Sequence, residues 1–472
     1  MRPTGILAPM RLHNTLTRTV DEVVPIEDGH VRMYTCGPTV YRSAHLGNLR
    51  TFMLADLIAR GLELEGLRVT QVMNITDVGH MTDESSPAAL DKMLLAVEDE
   101  GLGPLEIAEK YAAGVFADAA ALGIRAADLY PKATDHIPEM IELTQRLIER
   151  DHAYAVDSGS VYFDVTSFPG YGRLSGNTLD KLRAGHRDLE TDDAKRHEAD
   201  FALWKAAGPG RLMKWPSPWG EGFPGWHVEC SAMSMKYLGE RFDVHTGGYD
   251  LTFPHHEDEI AQSEGATGHQ VVTTWVHGGH LRLSGQKISK SSGNVVRVQE
   301  LVDRGLDPLS FRWLTFMTRY RSEMDFTWDA MEDAHRRVSQ LRRRMAGWGP
   351  AATELTGVAI GFDRRFREAV AADLDMPSAV KIVNELVGTA DVTDNEKFAL
   401  LSTWDEILGL DLRREAEAGW EPTEAMRQLM ADRDRAREAK DYATGDELRD
   451  RLAEMGLEVM DTGDGTRVRP RN

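Results

Sequence analysis

The hydropathic pattern changes period twice within the first eighty residues. Met33-Tyr34-Thr35-Cys36-Gly37-Pro38-Thr39-Val40-Tyr41 reads as a β-strand stopped by the Gly-Pro turn signal. His45-Leu46-Gly47-Asn48 then opens an amphipathic helix from Leu49 to Leu62, with apolar residues at Phe52, Leu54, Ala55, Leu57, Ile58 and Leu62. Val69 to Asp77 is a second strand ending in polar residues, Asn74 and Thr76 among them. A strand that feeds a helix in a parallel α/β sheet sets backbone N–H groups and the positive helix end over the strand's carboxyl edge. Phosphate binds at such a place. Cys36, a soft metal ligand, sits at the same mouth.

Downstream the period becomes helical. Leu105, Ala108, Ala112, Val115, Ala119 and Leu122 form one stripe, and Ile137, Met140, Ile141, Leu147 and Ile148 another; both read as core. Val161 to Val165 alternates like a strand, and a polar, charge-rich stretch follows to about His197. Residues from about 85 to 205 therefore read as an insertion between two halves of a sheet. Residues 213–295 are dense in Gly, His, Trp and Pro and suggest loops on the site side. Helix and turn alternate through about 295–330, and the chain is nearly all helical by pattern from Met331, ending in a short helical unit from about 421.

A chain of 472 residues exceeds one core, so two or three domains are expected. No stretch reaches the roughly 18–20 apolar residues of a membrane span, and Met1 to Thr19 lacks a signal-peptide pattern, so a cytoplasmic protein is expected. The net charge of −21 alone argues against a nucleic-acid partner. Phosphate contacts need only a local basic face. Two candidates are His335-Arg336-Arg337 with Arg342-Arg343-Arg344, and Arg433, Arg435, Arg437 and Lys440 with Arg467, Arg469 and Arg471. Solvated helix surface is the plainer reading of both.

Two constellations carry chemistry. Cys230 and Pro254-His255-His256-Glu257-Asp258-Glu259 form the first; His255 and Glu259 are four apart and share a helix face. With Cys36 they make a tetrahedral zinc set of two thiolates, an imidazole and a carboxylate; two inert buried thiols are the alternative. The second is Lys287-Ile288-Ser289-Lys290-Ser291-Ser292-Gly293-Asn294, a cationic, donor-rich loop suited to a polyphosphate, or else a plain surface loop.

His45-Leu46-Gly47-Asn48 and Lys287-Ile288-Ser289-Lys290-Ser291 resemble the two signature motifs of class I aminoacyl-tRNA synthetases. Met33 to Tyr41, Asn74 to Val78, Trp215 to Gly220, Gly225 to Met233, Phe253 to Ser263 and the stretch through Lys440-Asp441-Tyr442-Ala443 resemble the cysteinyl-tRNA synthetase family, nearly end to end. The resemblance implies an α/β fold: a Rossmann-like parallel-sheet catalytic domain over 1–330 with its insertion, a helical bundle over 331–420 and a small anticodon-binding domain over 421–472. It implies ATP-dependent ligation of L-cysteine to tRNA(Cys) through a cysteinyl-adenylate, with Mg2+ on the nucleotide, and a monomer is expected. It implies zinc on Cys36, Cys230, His255 and Glu259; the substrate thiolate would enter as a fifth ligand or displace a weak one, for which Glu259 is the natural candidate. His45, Asn48, Lys287 and Lys290 would act on the phosphates. Gly37, Thr39, Gly47, Thr51, Gly248 and Asp250 would border the nucleotide, and Thr39, Asn74, Thr76 and Trp226 the amino acid. For Trp226 plain core is the alternative, and for Asp250 a turn cap. His227, His245 and His256 would line the zinc pocket, with a satisfied structural histidine the plainer reading of each one singly.

The text departs from the family pattern at Gly79-His80-Met81-Thr82, Thr246, Asp258, Ile288 and Val468, the last standing where a tryptophan of the anticodon region is common. Two rivals remain: a paralogous ligase that passes activated cysteine to an amino-sugar acceptor, and a non-catalytic zinc- and RNA-binding module.

Overall fold

The computed structural model describes residues 9–79, 92–179, 181, 194–208, 210–283, 286–287, 295–414, 424–439, 441–455, 457–462 and 465–470. Its centre is a parallel sheet of four strands in the order Val272–Gly278, Phe242–Gly248, His30–Thr35, Arg68–Met73. The His30–Thr35 strand is inner, with Tyr34 opposite His245 on one side and Val72 on the other. Its near-continuous burial, broken only at Arg32, is that of a strand covered on both faces. Its two neighbours lie on opposite sides and come from distant parts of the chain. The carboxyl edge beside it is therefore a topological switch point, where open α/β sheets bind ligands.

The helix that follows spans Leu46–Leu64, three residues earlier than its apolar stripe suggests. His45 is the N-cap: its Nδ1 accepts from the Asn48 N–H at 3.2 Å, and its own N–H donates to Asn48 Oδ1 at 3.3 Å. This is a capping box made with His and Asn instead of the usual Ser/Thr and Glu/Gln, so its sequence signature is hidden. Gly47 is required here, because a Cβ would lie 2.9 Å from His45 Nδ1. At the strand exit a Cβ on Gly37 would meet Asn74 O at 1.7 Å, so only glycine lets the two strand ends close up.

Between the sheet halves lie the helices Lys92–Glu100, Pro104–Ala121 and Ile137–Glu149 and an antiparallel sheet of Ala153–Ala155, Val161–Phe163, Phe201–Ala206 and Gly222–Pro224. This sheet runs on to Pro224, past the boundary at about 205 that composition suggests. Leu105, expected in the core stripe, is 59% exposed. The segment 213–295, expected as loops, holds the helices Trp226–Leu238 and Glu257–Thr267 and two strands of the parallel sheet, one inner and one at its edge. The buried polar residues of these helices mask the apolar stripe by which a helix is read.

One compact unit comprises Met1–Gln340 with Gly349–Asp411, and a second Leu341–Trp348 with Leu412–Asn472. In the second unit the helices Glu424–Glu438 and Tyr442–Glu454 accompany a hairpin of Leu457–Thr462 and Gly465–Pro470, strands that the helical reading of this piece did not contain. Val468 is buried there with Leu452 and Leu457. The basic faces are partly structural. Arg433 is buried and donates to Thr466 Oγ1, Arg342 is buried, and Arg336 and Arg337 pair with Asp333. Among the described residues no helix is long and apolar enough to cross a membrane.

Candidate active site and metal centre

A cleft of about 450 Å³ opens at the carboxyl edge of the central sheet. Cys36, Gly37, Thr39, His45, Gly47, Asn48, Thr51, Asn74, Thr76, Trp226, Cys230, Gly248, Asp250 and His255 all line it, drawn from positions more than two hundred residues apart. Glu259 is buried next to Cys36 and His255. Gln286–Lys287 forms a backbone strand paired with Leu281–Leu283. The Lys287 side chain, Ile288, Lys290 and the rest of that loop, like His80, Met81 and Thr82, lie outside the described residues.

At the inner end, Cys36 Sγ lies 3.8 Å from Cys230 Sγ and 3.6 Å from Glu259 Oε1, while His255 Nε2 lies 3.2 Å from that same oxygen. The four donor atoms all fall within 4.8 Å of one another, and all four residues are buried. Cys36 arrives on the end of the His30–Thr35 strand, Cys230 on the Trp226–Leu238 helix, and His255 and Glu259 on one irregular-to-regular helical run. Burial pushes both thiols up, with Cys230 and Glu259 raising Cys36 further. Two thiolates and a carboxylate repel as anions when buried together, and with a neutral imidazole beside them a zinc ion is the partner such a donor set fits. A second set, Cys36, His245, His256 and Glu259, is equally close.

The histidines are layered. His255 Nδ1 lies 2.7 Å from His227 Nδ1, and His227 Nε2 lies 3.3 Å from Asp258 Oδ2, which also meets the Tyr171 hydroxyl through its other oxygen. His256 Nε2 lies 3.2 Å from Cys36 Sγ and its Nδ1 lies 2.7 Å from His277 Nε2, while His245 Nε2 is 2.9 Å from Glu259 Oε2. Burial, with neighbouring imidazoles, holds His256 well below the usual range, and burial draws His277 down to about 3. In metal sites, imidazoles that hold a ligating side chain by its far nitrogen orient it from behind, and His227 has that place relative to His255. Sequence reasoning passed over Tyr171 and His277, and met Asp258 only as a departure from the family pattern, with no role given to it. Only the position of His277 two residues beyond Trp275 on one strand face hinted at it.

The middle of the cleft is polar and fixed. Gly37 N–H donates to Asn74 Oδ1 at 2.8 Å, Asn74 Nδ2 donates to Thr76 Oγ1 at 2.9 Å, and Thr76 Oγ1 donates to Glu229 Oε2 at 3.0 Å. Glu229, fully buried and one residue before Cys230, is another group the sequence did not single out. The Trp226 ring lies 4.4 Å from that of His255 and closes one wall. At the outer end stand the His45 cap, the first helical turn with Gly47 and Asn48, and Asp250, 3.9 Å from His280 Nδ1.

Residues 22–336 match the model described as the catalytic domain of class I (C) tRNA synthetases, and residues 421–469 match the cysteinyl-tRNA ligase anticodon binding domain. The chain belongs to the cysteine–tRNA ligase family. Cysteine–tRNA ligases of Thermus thermophilus and Salinibacter ruber are 43% and 41% identical to it, and each alignment covers 97% of this chain and 98% and 97% of the relative. Membership makes the chain a class I aminoacyl-tRNA synthetase. The fold is shared with methionyl-tRNA synthetase of Mycobacterium tuberculosis in complex with methionyl-adenylate, at a TM-score of 0.57 and 14% identity over 83% of this chain and 92% of that one.

Proposed function

We propose that the chain ligates L-cysteine to tRNA(Cys) in this cleft through a cysteinyl-adenylate. The observation that carries the reading is one cleft with a thiolate-type metal donor set at its inner end and a His-capped helix start at its outer end. When bound to Cys36, Cys230, His255 and Glu259, zinc supplies a seat that a cysteine thiolate fills and a serine hydroxyl fills poorly, a discrimination that needs no editing.

The chain's own groups do the rest. Thr76 has its single proton committed to Glu229, so it faces the cleft as an acceptor, suited to the α-ammonium of an amino acid. Asn74 is locked by Gly37 and Thr76, and Trp226 walls the pocket. Asp250 accepts from a ribose hydroxyl of ATP, and Gly248 lets the nucleotide approach. His45 and Asn48, with the helix N-terminus, stabilise charge on the phosphates together with Lys287 and Lys290, and Mg2+ accompanies the nucleotide. The substrate carboxylate attacks the α-phosphate, pyrophosphate leaves, and the terminal ribose hydroxyl of the tRNA then takes the acyl group, releasing AMP. No side chain serves as nucleophile, so rate comes from position and electrostatics.

The anticodon-domain match over residues 421–469 favours tRNA over an amino-sugar acceptor. Cysteine-dependent ATP–pyrophosphate exchange, then charging of tRNA against an amine acceptor, tests the reading. Exchange with tRNA charging is expected. A folded, zinc-loaded protein without exchange would overturn it.

A further inference from the structure

Arg50 lies in the helix that His45 caps, two residues beyond Asn48, and is 7% exposed. Its guanidinium is spent on main-chain carbonyls. Nη1 donates to Gly279 O at 2.6 Å and His280 O at 3.0 Å; Nη2 donates to Ser322 O at 3.0 Å and Tyr320 O at 3.4 Å. Among the described residues no carboxylate pairs with it, and burial draws its pKa down to about 10. A buried cation without a counter-charge is a costly way to fill space, and an apolar side chain would pack there more cheaply. What the guanidinium offers instead is a rigid fork of donors that binds several acceptors at once.

The acceptors bracket one small sheet. Gly279 and His280 lead directly into Leu281–Leu283, and Tyr320 to Ser322 lead into Met324–Phe326. These two strands pair in parallel, and the first also pairs with Gln286–Lys287, Arg282 opposite Lys287. The segments are pressed together at their base: Gly279 N–H donates to Tyr320 O at 2.8 Å, and a Cβ on Gly279 would lie 2.3 Å from Ser322 O. Gly279, His280 and Leu281 line the cleft beside His45 and Asn48. Arg50 thus grips the base of the strands that end in Lys287, from the helix whose first turn is the other signature segment.

We propose that Arg50 is a positioning residue for amino-acid activation: it fixes the spacing between the His45–Asn48 turn and the strand pair leading to Lys287. The proposal rests on the adenylation reading above. Its place is the nucleotide half of the cleft, so its loss should spare the cysteine half.

The test is pyrophosphate exchange by Arg50→Gln and Arg50→Lys, with zinc content and thermal midpoint measured on the same samples. A misplaced phosphate cradle is expected to lower kcat about ten- to a hundred-fold and raise KM for ATP, because small displacements of reacting groups carry losses of that order. KM for cysteine and zinc content should stay at wild-type values. Arg50→Lys, which reaches fewer carbonyls with one ammonium, should fall between. A folded variant with unchanged kcat and KM for ATP would overturn the proposal, as would a fall in thermal midpoint with both KM values unmoved. If Arg50→Gln does not fold, Arg50→Lys decides by the same criteria. An inactive wild type would sink the adenylation reading itself, a result separate from any difference between wild type and variant.

Discussion

Thr76, on the cleft wall, and His227, standing behind His255, show how far single side chains set the cleft. The Thr76 hydroxyl accepts from Asn74 and donates to Glu229, leaving one lone pair for a substrate donor. Thr76→Val removes that acceptor, and Thr76→Ser keeps it. A hydrogen bond to a charged group is worth about 1.5–3 kcal/mol, so KM for cysteine in exchange should rise roughly ten- to a hundredfold in the valine variant and little in the serine variant. Equal KM values in both would remove Thr76 from cysteine binding. His227 bonds His255 through Nδ1 and faces Asp258 through Nε2. Losing an outer-layer partner typically costs about 10–100-fold in metal affinity. His227→Phe should therefore surrender zinc to a chelator at correspondingly lower chelator concentration, as followed by metal analysis after dialysis. Retention equal to wild type would mean that His255 needs no such support.

At the level of elements, the strand-to-helix opening of the sheet was legible because apolar runs and stripes declare themselves over ten or more residues. The Cys36 and His45 ends of that unit could be placed from their neighbours. His227, His245 and His256 could be named as lining the metal pocket, but their links to one another and to Asp258 and His277 could not, because the Trp226–Leu238 and Glu257–Thr267 helices are buried over most of their length and carry polar residues inside. Neither apolar period nor exposure marks them, and the pairing of Cys36 with Cys230 depends on a sheet crossover that local pattern does not encode. The C-terminal hairpin escaped for a different reason: its charged text reads as a solvated surface, while among the described residues Leu457, Thr466 and Val468 mark its inner face. Capping is where element stability is most sharply testable. Glu396 accepts at 2.6 Å from the N–H of Thr356, the N-cap of Gly357–Ala371, and at 3.0 Å from that of Thr393, the N-cap of its own helix, Asp394–Leu408. These backbone donors hold its carboxyl down at about 2, against an ordinary value of 4.5. A depressed folded-state value means stabilisation that is fully present above the unfolded value and is lost as pH falls through the folded one. Glu396→Gln should lower stability by about 1–3 kcal/mol at neutral pH. The gap in thermal midpoint between variant and wild type should close as pH falls from 4.5 toward 2. A gap constant across that window would show that the carboxylate charge contributes nothing.

On the scale of the whole catalytic unit, a single buried acid joins elements that are far apart in the chain. Asp56, on the inner side of the Leu46–Leu64 helix, meets Arg312 Nη2 at 2.6 Å and Arg60 Nε at 2.8 Å through one oxygen, and Arg125 through the other. Arg312, fully buried, carries the tie onward. Its Nε donates to Leu408 O at 2.5 Å and its Nη2 to Ile407 O at 3.4 Å, at the end of the Asp394–Leu408 helix. Arg60 donates to Glu406 O at that same end and to Gly123 O in the insertion. Burial alone would push the Asp56 carboxyl up, but Arg312 and Arg60 outweigh it and hold it below the ordinary range. Cationic donors against the last carbonyls of a helix are also favoured by its dipole. Removing one partner of such a pair leaves the other charge buried with less compensation and costs about 3–5 kcal/mol, whereas removing both can cost far less. Arg312→Met should therefore unfold at markedly lower urea concentration than wild type. Adding Asp56→Asn should recover part of the loss instead of deepening it, a coupling that a double-mutant cycle reads directly. Additive losses in the double variant would show that Asp56 and Arg312 stabilise the unit independently, and the helix bearing His45 would then owe its placement to apolar packing alone.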